Sequence, residues 1–182
     1  MAGNLFNQVQ ALLHTPQPPQ LGPGPRAHVE SAASIRTKIE DLTRQANLPA
    51  LRIDLLHALV LLWHDRLEAS HRIVQEIETP DGSLIHAMMH RREPDYWNSK
   101  YWWRRVGTHP VFPALADAVT RALQDEPSPM LARIVNQGNW DPLAFVDECQ
   151  QAAPLPATEE PHRTAVEVQR IEFQCALAHL CA

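Results

Sequence analysis

The sequence predicts an all-α fold: a single domain of about seven helices, built as helical hairpins around a central apolar helix. Three observations predict it. No Val/Ile/Thr run alternates with period two between hairpin turns. Apolar residues recur at three- and four-residue spacing, with Pro, Gly and Asp at the boundaries of each run. The 182 residues, 45% hydrophobic and 20% charged, suit one globular domain.

Leu5, Phe6, Val9, Leu12 and Leu13 mark an amphipathic helix in residues 1–14. Thr15–Pro25 holds five Pro and two Gly, so 15–26 is expected to be a linker and the first helix separable from the 27–182 domain. Ile35, Ile39 and Leu42 predict a helix over 28–47. Pro49 suits the first turn of the next helix, whose Leu55–Trp63 stretch is apolar nearly all round and is expected at the centre. Asp65 and Glu68 read as a capping pair for a helix through Leu67, Ser70, Val74 and Ile77. Thr79–Gly82 reads as a turn, followed by helices over 83–92 and 96–106, the second capped by Asp95 and ended by Gly107. Further helical stretches cover 111–124, 130–136, 142–152 and 163–180, and no fixed-period repeat is evident.

Composition narrows the function. Sixteen Lys+Arg against 21 Asp+Glu give a net charge of −5, which argues against a general nucleic-acid binder. Cys149, Cys175 and Cys181 lack the short paired spacings of a zinc module or a disulfide framework. No apolar run reaches the length of a membrane span and no signal peptide is recognisable, so a cytoplasmic location without membrane association is expected. Oligomeric state is not legible.

The informative run is HAMMHRREPDYWNSKYWWRRVGTHP, residues 86–110. It holds both Tyr, three of the five Trp and a local charge of +3. This run resembles the signature of an uncharacterised, mainly bacterial family of small helical proteins. The preceding Trp63–Asp65, His71 and the Val168–Phe173 segment resemble it too. Trp97 and Ser99 depart from that pattern, and the resemblance implies no activity.

Three readings of the run compete. In the first, Arg91, Arg92, Glu93 and Asp95 form a network that only locks helices together. In the second, Arg91, Arg92, Lys100, Tyr101, Trp102 and His109 line a polar-aromatic pocket for a small anionic molecule. Guanidinium forks suit carboxylate or phosphate, and aromatic walls add apolar area. His86 or His90 would then be the acid/base group, oriented by Glu93 or Asp95. In the third, His71, His86 and His90 supply three nitrogen ligands to a metal, with His64, Glu68 and His71 as a second stripe. HxxxH lacks the Glu of the zinc-protease motif, so no metal and no cofactor is expected. The anion pocket, with room for acid/base catalysis, is the leading reading. A helical interaction or scaffold protein without catalysis is the alternative.

Overall fold

The computed structural model describes residues 2–44, 46–124 and 128–182, with side chains from Leu5 onward. Met1 and Gln45, which fall in the predicted 1–14 and 28–47 segments, lie outside these residues. Ten α-helices and one two-stranded ribbon make up the described chain: α1 (Ala2–Leu12), α2 (Ala32–Thr43), α3 (Ala50–Trp63), α4 (Leu67–Val74), α5 (Pro80–Arg92), α6 (Tyr96–Val106), α7 (Val111–Leu123), α8 (Pro129–Ile134), β1 (Val135–Asn136), β2 (Asn139–Trp140), α9 (Pro142–Ala152) and α10 (Glu160–Cys181). The all-α class holds, with ten helices among the described residues where about seven were expected.

Two apolar clusters form the interior. One gathers α1–α6 and the end of α10, and the other gathers α7–α9 and the beginning of α10. At about 1.5 Å per residue, the 22-residue α10 is roughly 33 Å long and serves both clusters. α3 is buried as its composition predicts. α5 is buried over every residue from Gly82 to Arg92, although four of its side chains are His or Arg. Its polar groups disguise its depth in the sequence.

Several local expectations are corrected. Thr79–Gly82 is not a separate turn but the start of α5, because Thr79 accepts the Gly82 amide as N-cap and Pro80 needs no donor at the first position. Asp65 does not cap α4. It sits in the left-handed region (φ 59°) and turns its carboxylate to Arg26 and Arg92, while Glu68 is exposed. The end of the predicted 130–136 helix is instead a ribbon, because Gln137 and Gly138 both take positive φ and turn the chain back.

The two helix pairs α3–α4 and α5–α6 share one short local pattern. Leu55-x-His57-Ala58 of α3 recurs 29 residues later as Leu84-x-His86-Ala87 of α5. Ser70 on α4 donates to the Ala58 carbonyl (2.9 Å), and Ser99 on α6 donates to the Ala87 carbonyl (2.7 Å). One buried serine thus joins α4 to α3, and another joins α6 to α5.

The 15–26 segment is ordered against both halves. Its Gln20 and Gly22 carbonyls accept from Arg92, its Pro19 carbonyl accepts from Gln169, and Leu21 is buried. Leu5, Val9 and Leu13 join the first apolar cluster.

Candidate functional site: a three-histidine cluster

His86 and His90 are four residues apart, so they project from one face of α5. α4 packs across that face and brings His71 to them. The ring centroids lie 4.8 Å apart for His71–His86 and His86–His90, and 5.2 Å apart for His71–His90. One ring nitrogen of each lies within 4.8 Å of the other two. Ligands on a tetrahedral zinc, with bonds of about 2.0–2.1 Å, sit about 3.4 Å apart. Modest side-chain rotations would close the set on one ion.

His86 carries the unusual feature. It is 2% exposed, and neither of its ring nitrogens has a hydrogen-bond partner among the described residues. Each buried group left without a partner costs on the order of 1–3 kcal/mol. Trp102 stacks on its face at 3.9 Å between centroids. Burial, followed by the neighbouring His90 and His71, pulls its pKa down to about 3, so the ring is neutral at pH 7.

His90 is better supported. Its Nδ1 lies 3.2 Å from Glu93 Oε2. A carboxylate only accepts, so Nδ1 carries the proton and Nε2 keeps its lone pair. Asn98 Nδ2 donates to that lone pair at 3.1 Å, so an ion bound at Nε2 would take the place of this hydrogen bond. Burial lowers the His90 pKa, and Glu93 opposes the shift. A carboxylate behind one imidazole nitrogen, with the other turned to the site, is the usual support of a metal-binding histidine.

A second cluster, Asp81, His109 and His179, has similar spacing and a different character. Asp81 Oδ1 lies 2.9 Å from His109 Nε2 and 2.8 Å from His179 Nε2. His109 Nδ1 accepts the Val111 amide at 3.2 Å, so its proton is on Nε2 and is donated to Asp81. No lone pair of His109 is left for an ion. His64 is likewise committed: its Nδ1 accepts the Glu30 amide, and its Nε2 donates to the Leu12 carbonyl.

The cationic residues expected to bind an anion are paired within the protein. Arg91 is 1% exposed and held in a fork by Glu172, with Gln169 beside it and the Phe145 ring 4.6 Å away. Arg92 donates to Asp65 (2.6 Å) and to the carbonyls of Leu62, Gln20 and Gly22. Lys100 pairs with Asp147 at the surface. Asp95 caps α6 through the Asn98 amide, Tyr101 is exposed, and His109 belongs to the second cluster. Of the expected site residues, His86, His90, Glu93 and Trp102 come together. His71, singled out by its spacing, and Asn98, which lies within the 86–110 run, complete the group. No family model matches this chain, and no curated protein or solved structure does either.

Proposed function

We propose that this chain is a metal-binding protein in which His71, His86 and His90 hold one divalent transition-metal ion and leave a coordination position open. The observation that carries this reading is His86, buried with both nitrogens unpartnered among the described residues and two further imidazoles beside it. Three imidazole ligands suit zinc, iron, copper or nickel better than calcium or magnesium. The open position takes water or the small anionic molecule expected from the sequence. The metal, rather than Arg91 and Arg92, supplies the charge that attracts it. Glu93 orients His90, and Trp102 covers the site.

The protein purified without a histidine tag tests this. One equivalent of zinc or cobalt per chain is expected by elemental analysis and titration. His86→Ala and His90→Ala should each abolish it. His57→Ala, at the matching L-x-H-A position of α3, should not. Cobalt in the site should show visible absorption that acetate alters. Failure of both metals to bind saturably would overturn the proposal. The scaffold reading would then stand, favoured by the pairing of Arg91, Arg92 and Lys100 with carboxylates of the same chain.

A further inference from the structure

A cleft of about 470 Å³ lies away from the histidines, between the end of α6, the start of α7, the β1–β2 ribbon and the start of α9. Its volume falls within the roughly 300–1,000 Å³ of small-molecule sites. Trp103, Phe112, Pro113, Trp140 and Leu143 line it, and the Arg104 side chain belongs to an exposed residue of its wall.

Trp103 is 2% exposed and Trp140 is 5% exposed, and neither indole N–H has an acceptor among the described residues. Both nitrogens are closed off from solvent, so the two rings enter the wall as apolar surface. Arg104 forms no ion pair among the described residues, unlike Arg91, Arg92 and Lys100. The carboxylate of Asp141, also in the wall, already accepts the Leu143 and Ala144 amides. Its negative charge sets a limit, favouring a ligand with one carboxylate over a dianion. The aromatic and proline walls favour a flat apolar body, which gains from stacking as well as from burial.

We propose that this cleft binds a small aromatic monocarboxylate, its ring between the tryptophan, phenylalanine and proline walls and its carboxylate answering Arg104. The proposal is independent of the histidine cluster.

The test is a titration of the full-length ¹⁵N-labelled protein with 1-naphthoate, read on the five assigned indole N–H signals. Trp103 and Trp140 should shift saturably, while Trp63, Trp97 and Trp102 should not. Arg104→Ala, an exposed substitution that leaves the core intact, should weaken binding about tenfold. The neutral 1-naphthalenemethanol should bind about tenfold more weakly than the acid. His86→Ala should leave naphthoate binding unchanged, which separates this site from the metal proposal. Absence of a saturable shift below about 10 mM would overturn the proposal. So would equal affinity for the neutral alcohol, or an Arg104→Ala variant that binds as the parent does.

Discussion

Arg91 and Gly82 show how much of this fold rests on single residues. Arg91 gives a full charge to the interior, and Glu172 returns the opposite charge through a two-oxygen fork. Removing one partner leaves the other charged and dry. Arg91→Met should therefore cost about 3–5 kcal/mol in urea unfolding, whereas Arg91→Met combined with Glu172→Leu should recover most of that loss. Cys149 lies in the same setting, where burial pushes its thiol up to about 12 despite the nearby Arg91. Its slow reaction with a thiol reagent in the folded protein would agree with that. Gly82 is a packing requirement of another kind. A methyl group there would overlap the Ile77 carbonyl oxygen and side chain, where the chain enters α5. Gly82→Ala should destabilise by about 1–3 kcal/mol, measurable as a lower urea midpoint at unchanged slope.

At the scale of elements, α5 is the pivot. Its first turn carries Asp81, which joins the α6–α7 connection through His109 and the last turn of α10 through His179. The hydrogen bond from His109 holds the Asp81 carboxyl below the usual carboxylate range, with burial opposing and the charge of His179 assisting. A carboxyl with a lowered folded-state pKa stabilises the protein above its unfolded value. That contribution is lost as pH falls through the folded value, below about pH 4. Asp81→Asn should reduce stability near pH 6 by about 1.5–3 kcal/mol and flatten the acid limb of a stability–pH curve. An unchanged acid limb would mean that the three groups do not act as a latch. The far end of α5 carries the proposed metal ligands, so the helix links two histidine clusters with opposite commitments. In one, His109 has no lone pair to spare, and in the other His86 has no partner among the described residues.

At the scale of the whole molecule, the first 26 residues decide whether the remainder is complete. Arg92 and Gln169 lie on different helices, and both donate to carbonyls of this segment. Arg26 donates to Asp65, and Trp63 Nε1 donates to Thr15 at 3.1 Å. Deleting residues 1–25 strips Arg92, Gln169 and Trp63 of these acceptors and removes the packing of Leu5, Val9 and Leu13. Stability should fall by several kcal/mol, with a lower thermal midpoint. A truncated chain as stable as the full one would restore the separable linker that the proline content suggests. Proline and glycine specify what a backbone cannot do by itself, and they are silent on whether its carbonyls meet donors elsewhere.

The sequence by itself determined the helical class, most helix positions and the deep placement of α3, because local spacing and capping chemistry act within a few residues. It also set His86 and His90 on one face, since four residues are close to one turn. Only the tertiary structure decided which charges were already spent. Glu172 lies 81 residues from Arg91, and Asp65 lies 27 from Arg92. No local pattern records pairs at such distances. The depth of α5 was hidden for the same reason: its polar groups look solvated until partners on α10, α4 and the N-terminal segment surround them. The approach of His71 to His86 and His90 depends on how α4 packs against α5. The cleft at Trp103 and Trp140 depends on a ribbon turn meeting the end of α6. Both are consequences of three-dimensional packing, where the energy lies between elements that the chain separates.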